Sequence, residues 1–219
     1  MGLSGSDVEE LYTRRIDSYE SFITFFRTSQ GLRALLHHSD LLRPDLRVLD
    51  AGCGFGTETF ALIDALRAKN LRWEIIDAFD LTAAMLERFG RKIDERGAER
   101  IRIQRADVLQ LQTLPPSWRN YDLVLSTSML EYLRKQDLAR ALTGLRELMA
   151  PDGRIMVMIT RRTPEAKILI EWGWKAQSYS KAELVQRFEA AGLQNLRFLR
   201  FPLRYTWLNR ANYVVTASR

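Results

Sequence analysis

From residue 47 to residue 160, short apolar runs alternate with stretches whose apolar residues recur every three or four positions, and that alternation limits the fold more than any other feature. RVLDAG (47–52), WEIIDAFD (73–80), IRIQRAD (101–107), YDLVLSTS (121–128) and RIMVMIT (154–160) read as strands. Between them, Phe60, Ala61, Leu62, Ala65 and Leu66 set a helix over 57–69, Thr82 caps a helix through AAMLERFGRKIDER, and a third runs from Asp137 to Met149. Parallel neighbours cannot be joined by tight hairpins, so the alternation implies parallel strands with helical crossovers on the faces of the sheet. The predicted class is α/β, doubly wound. After the helix KAELVQRFEAAG (181–192), strand LRFLRF (196–201) is followed within about ten residues by strand NYVVTAS (212–218), a connection short enough to favour an antiparallel final pair.

Ahead of the alternation, Val8, Leu11, Tyr12, Ile16, Tyr19, Phe22, Ile23 and Phe26 followed by LRALL read as two helices, ended by Pro44. No repeat, low-complexity run or clean linker divides the chain, so residues 1–43 are expected to be an N-terminal helical extension and 44–219 the core of one domain. A composition 46% hydrophobic and 27% charged excludes disorder as the main state. The longest stretch free of charge, Val108 to Trp118, is too short and too polar to cross a bilayer, and the N-terminus lacks a basic-then-apolar secretory pattern. The expectation is a cytoplasmic protein with no membrane partner. MGLSGS matches a myristoylation pattern too loose to carry weight. One cysteine, Cys53, and two adjacent histidines, His37 and His38, make a zinc site implausible, and no metal is expected. Of the 33 basic residues 27 are arginine, and against 27 acids they leave a net charge of +6 with both signs interspersed. From Ala190 onward, however, there are five arginines (Arg197, Arg200, Arg204, Arg210, Arg219) and no acid.

Ligands of open α/β sheets bind at the carboxyl ends of the strands, and three of these end in aspartate. Asp50 leads into AGCGFGTET, where Gly52, Gly54 and Gly56 let the chain turn tightly and bring its amides close to a ligand. The spacing G-x-G-x-G is neither the dinucleotide fingerprint nor a loop ending in G-K-[ST], and Glu58 at the helix start fits poorly with a pyrophosphate. A nucleoside without phosphates fits better. Asp80 can accept from both hydroxyls of a ribose, with Asp77 as a rival for that role. Asp107 can accept from an exocyclic amine of adenine while the Val108 amide donates to a ring nitrogen.

VLDAGCGFGTET, FDLTAAML, RADVLQL and YDLVLSTSMLEYL together resemble the motifs of the class I S-adenosylmethionine-dependent methyltransferase superfamily, over about residues 44 to 219. The resemblance implies a seven-stranded sheet with the seventh strand antiparallel and S-adenosylmethionine as cofactor. Carried over by position, Asp50 with Gly52, Cys53, Gly54 and Gly56 would hold the methionine moiety, Asp80 the ribose, and Asp107 with Val108 the adenine, with Leu81 and Met85 near its face. PDGR at 151–154 departs from the family's common P-G-G, which affects only a turn.

Displacement at a sulfonium needs alignment and exclusion of water more than a nucleophile. A general base is needed only for a protonated acceptor, and Glu131 or Tyr132 could supply it, each with an alternative structural role. Ser126, with Thr127 and Ser128, could orient a ligand or satisfy strand-end backbone. The family's base-amino-methylating enzymes usually carry [N/D]-P-P-[Y/F/W] where this chain has STSM, which makes nucleic acid an unlikely partner. A small-molecule acceptor lined by Tyr12, Tyr19, Trp172, Trp174 and Tyr179 is the expectation; an RNA or protein acceptor, or binding without catalysis, are the alternatives.

Overall fold

The strand at 46–51 is buried on both faces along almost its whole length, the pattern of a central strand in a sheet covered on both sides. The computed structural model describes residues 27–164 and 176–219. In chain order these form α1 (Thr28–His38), β1 (Leu46–Ala51), α2 (Thr57–Ala68), β2 (Trp73–Asp80), α3 (Ala83–Glu95), β3 (Ile101–Arg105), β4 (Tyr121–Thr127), α4 (Leu138–Leu148), β5 (Met149–Thr160), α5 (Lys181–Ala190), β6 (Gln194–Leu199), α6 (Leu208–Ala211) and β7 (Asn212–Ser218). The seven strands lie in the order β3-β2-β1-β4-β5-β7-β6. β3, β2, β1, β4 and β5 are parallel, and β7 runs antiparallel between β5 and β6. The doubly wound class and the antiparallel ending are both present.

Side chains alternate across the sheet and so divide the core in two. On one face Val48, Ile76, Ala78, Leu123, Leu125, Met156 and Met158 pack with α1, α2 and α3. On the other, Leu49, Phe79, Val124, Ile155, Val157 and Ile159 pack with α4 and α5. Helix α1, placed in the extension by the sequence, buries Leu32, Leu35 and Leu36 in the first of these clusters. Residues 1–26, with the first expected helix, lie outside the described residues.

Two local departures have clear causes. β3 ends at Arg105 rather than Asp107, because the Asp107 carboxylate accepts from the Leu109 amide at 2.8 Å and turns the chain. β5 begins at Met149, five residues before the expected start, with PDG absorbed as an irregularity opposite Tyr121 and Leu123. A Cβ on Gly153 would lie 2.6 Å from the Tyr121 carbonyl oxygen, so only glycine lets this bulge close.

Parity also places the two rival aspartates on opposite faces of the sheet. Asp80 shares its face with Ala78, whereas Asp77 shares the opposite one with Phe79. There Asp77 is wholly buried, binds the Arg102 guanidinium through two hydrogen bonds of 2.6 and 2.8 Å, and accepts from the Tyr121 hydroxyl at 2.6 Å. It ties β2 to β3 and reaches the start of β4. Asp77→Ala would strand a buried hydroxyl and open a gap, so it is expected to lower the unfolding free energy by about 3 kcal/mol, and Tyr121→Phe by about 1 kcal/mol. Urea denaturation checks both, and equal losses would contradict the hub role of Asp77.

Candidate active site

Asp50 projects from β1 into the angle between the sheet and α2, where no water reaches it. Its Oδ2 accepts from the Thr59 hydroxyl at 2.5 Å, and its Oδ1 has no protein partner. Beyond Ala51 the chain reverses through Gly52, Gly54 and Gly56, with φ of 77°, 52° and 80°, all in the left-handed region. The Gly52 and Cys53 amides donate to the Phe79 carbonyl at 2.8 and 3.0 Å, which fastens this loop to the end of β2. The three glycines differ in what surrounds them. A Cβ on Gly52 would overlap the Met129 side chain and one on Gly56 the Phe89 ring, whereas one on Gly54 would meet nothing within 4 Å. Gly54 therefore borders open space at the tips of β1 and β2.

Asp80 reaches the same place from β2. Its Oδ2 accepts from the Gly54 amide at 2.9 Å and its Oδ1 from the Thr82 amide at 2.8 Å. Thr82 begins α3 as expected, but its side chain makes no capping bond to the helix. Burial raises the pKa of Asp80 against these hydrogen bonds, and raises Asp50 to about 6 against the Thr59 bond, with the Asp80 charge adding to it. Glu58, partly exposed by area yet enclosed by the chain, is pushed up to about 7 by burial first and then by Asp50, with Lys92 opposing. Burial also lifts the Cys53 thiol well above its ordinary range, which leaves it a small apolar wall rather than a nucleophile.

The other predicted donor residues divide. Met85 and Val108 are buried and Leu81 partly so, while Asp107 is half-buried with one oxygen already taken by the Leu109 amide. Ser126 is wholly buried on β4, next to β1, and its hydroxyl has no partner.

A second group gathers at the ends of β4 and β5. Glu131, in a single helical turn after β4, accepts from the amide and the hydroxyl of Thr160 at 3.1 and 2.9 Å. It is 4% exposed, and burial pushes its carboxyl up to about 7. The Glu131 carbonyl accepts from Gln177, and the Tyr179 amide donates to the Thr160 carbonyl. These bonds bring Tyr179 into the group, buried, with its hydroxyl unpartnered and raised in pKa by burial and by the Glu131 charge. Tyr132 is buried beside Glu131. Tyr12, Tyr19, Trp172 and Trp174 lie outside the described residues. His37 and His38 stand at the end of α1, where their rings pack edge to face at 5.2 Å and His38 bonds the Ala34 carbonyl of its own helix.

Thr59, Met129 and Thr160 were missed by the sequence reading. Thr59 was detectable, since the first turn of a helix after a glycine loop must face the strand that feeds it. Nothing local marks Thr160, whose pairing with Glu131 spans 29 residues.

The arrangement matches known proteins. A family model described as a methyltransferase domain matches residues 49–155. This match, with the fold, supports the class I S-adenosylmethionine-dependent methyltransferase superfamily. The chain is 28% identical over 187 residues to a demethylmenaquinone methyltransferase of Lactiplantibacillus plantarum, covering 73% of this chain and 75% of the relative. Its fold is similar to that of magnesium protoporphyrin IX methyltransferase from Synechocystis with bound SAH, at a TM-score of 0.72 and 18% identity over 99% of this chain and 100% of the other. It is also similar to a possible histamine N-methyltransferase from Thermotoga maritima, at a TM-score of 0.68 and 15% identity over 96% and 99%.

The raised acids fix the direction of a pH effect on the methyltransferase. A carboxyl whose pKa is higher folded than unfolded holds its proton in the native state, so its favourable contribution is full below about pH 4.5 and is lost as pH rises through about 7. Glu131→Gln removes one such group. Its unfolding free energy is expected to match the parent's near pH 5 and exceed it near pH 8 by about 1 to 3 kcal/mol, read from urea curves at each pH. A difference that grows toward acid would contradict the assignment.

Proposed function

We propose that this methyltransferase passes the methyl group of S-adenosylmethionine to a small-molecule acceptor seated beside Glu131, Tyr132 and Tyr179. The observation that carries the reading is the meeting of two strand-end carboxylates, Asp50 wholly buried and Asp80 partly so, at a glycine loop that borders open space. The residues present suit that donor. Asp50 keeps one oxygen and Ser126 its hydroxyl without a partner, as groups awaiting a polar ligand would. Asp80 spends one lone pair of each oxygen on backbone amides and retains acceptor capacity for the two hydroxyls of a ribose.

S-adenosylmethionine, when bound, supplies a methyl group already activated on a sulfonium. The chain's part is then to hold, align and keep dry. In this reading Asp50 and the loop from Gly52 to Gly56, with Cys53, hold the methionine end, Asp80 the ribose, and Asp107 with the Val108 amide the adenine between Leu81 and Met85. Glu131, poised near neutrality and fixed by Thr160, takes a proton from an acceptor that carries one at its reacting atom. Ser126 and Tyr179 offer hydroxyls to orient the partner molecules. Tyr12, Tyr19, Trp172 and Trp174 are proposed as further acceptor contacts, and residues 1–43 as the lid. The two relatives whose names specify a quinone precursor and a porphyrin support the small-molecule class.

Calorimetric titration with S-adenosylmethionine, followed by a product-release assay over a panel of quinols, phenols, amines and carboxylic acids, tests the reading. Donor binding with no turnover on any acceptor class would leave a binding protein instead. Asp80→Ala is expected to weaken donor binding by about 2 to 4 kcal/mol through loss of two charge-assisted hydrogen bonds. Gly54→Ala separates binding from folding. Its Cβ meets no protein atom, so stability should fall only by the strain of φ 52°, about 1 kcal/mol, while donor affinity drops at least about tenfold. Gly54→Ala with unchanged affinity would place the donor elsewhere.

A further inference from the structure

The arginine-rich, acid-free stretch after Ala190 has no part in the donor site, and the fold separates it into three places. Arg197 is held by Asp40 at 2.9 Å, and Arg219 follows the end of β7 at the amino-terminal edge of the parallel strands. Arg200, Arg204 and Arg210 remain, and all three fall in the connection between β6 and β7. Because β7 is antiparallel to both β5 and β6, β6 runs with β5, and this connection emerges at the edge where β1, β4 and β5 end. It therefore shares the ligand edge of the sheet, beside β5 and away from β2 and β3.

The connection is folded in a fixed way. Phe201 and Leu208 are buried, Leu208 lies against Gly31 of α1, and Asn209 bonds the Phe201 amide and carbonyl at 2.9 and 3.2 Å. With these anchors turned inward, Leu203 is left 91% exposed and Trp207 42% exposed, the large apolar side chains that stand most in water among the described residues. Arg200, Arg204 and Arg210 are exposed around them, and among the described residues none pairs with a carboxylate. Arg161, whose guanidinium bonds the Asn209 carbonyl at 3.3 Å, adds a fourth cation at the base. An exposed leucine and a part-exposed tryptophan in one segment with exposed arginines that pair with no described carboxylate match the two demands of a lipid surface, an apolar layer beneath anionic headgroups.

We propose that the connection from Arg200 to Arg210 docks on the surface of an anionic lipid bilayer, with Leu203 and Trp207 entering the headgroup layer and Arg200, Arg204 and Arg210 meeting lipid phosphates. This is surface binding. Among the described residues no helix is long and apolar enough to cross a membrane, and surface docking departs from the sequence-based expectation of no membrane partner, which weighed spanning segments, a secretory pattern and a lipid anchor. On the methyl-transfer reading, which the docking itself does not need, a docked chain turns its acceptor side toward the bilayer.

Cosedimentation of the full chain with vesicles tests the proposal. Vesicles of phosphatidylcholine with one third phosphatidylglycerol should pellet the protein, pure phosphatidylcholine should not, and binding should weaken as salt rises. An arginine near an anionic surface is worth about fivefold, so Arg200→Glu, Arg204→Glu and Arg210→Glu combined should weaken binding at least on the order of 100-fold. Leu203→Asp should weaken it about tenfold or more through the lost apolar contact. Calorimetric titration of the same variants with S-adenosylmethionine should match the parent, which shows the fold intact and keeps this test separate from that of the donor site. Absence of vesicle binding, or binding equal in parent and variants, would overturn the proposal. So would a dimer in sedimentation velocity that Leu203→Asp dissociates, since a second copy would then be the occupant.

Discussion

The site depends on two carboxylates at the tips of β1 and β2, Asp50 wholly out of water and Asp80 partly so. Burying a charged carboxylate is costly unless hydrogen bonds or an opposite charge offset it. Asp50 receives one hydrogen bond from Thr59 and Asp80 two from backbone amides, which is less than their burial demands, and both pKa values rise. Glu58, close to Asp50 at the start of α2, is raised as well. The strand tips thus hold an electrostatic deficit that a proton, a hydrogen-bond donor or a cation can relieve. A sulfonium is such a cation, and the thioether left after methyl transfer is not, so in the proposed reading the deficit favours the donor over its product.

The same parity that creates this deficit protects the rest of the sheet from it. Three residues separate Asp77 from Asp80, and because side chains alternate they point to opposite faces. Asp77 is fully compensated by Arg102 and Tyr121 and serves as a rivet between strands. Asp80 is held by the Gly54 and Thr82 amides, and Gly54 borders open space. Identical side chains on one strand thereby hold the sheet together in one case and stand at its open edge in the other.

Much of the fold was legible because it rests on local periodicity. β2 was read with its observed bounds, and the antiparallel ending followed from a connection too short to cross over. The glycine loop was legible for a similar reason, since three residues able to adopt positive φ directly after a buried strand leave few other conformations. Boundaries set by tertiary contacts were not. The early start of β5 depends on Gly153 nesting against Tyr121, and the early end of β3 on a carboxylate turning back to a backbone amide. The choice between Asp77 and Asp80 hung on partners 25 and 44 residues away, and no pattern within β2 contains them.

The acceptor side follows the logic of the donor side with one difference. Glu131 is buried like Asp50, but both its oxygens are engaged by Thr160, at the last residue of β5. An acid so fixed cannot turn toward solvent when it ionises, so its proton moves most readily to or from a group seated against it. The Tyr179 hydroxyl, without a partner beside it, marks where such a group would meet the chain. Thr160 is followed at once by Arg161, which reaches the β6–β7 connection through the Asn209 carbonyl. Two successive residues at the end of β5 therefore link the buried Glu131 carboxyl to the apolar, basic rim of the sheet.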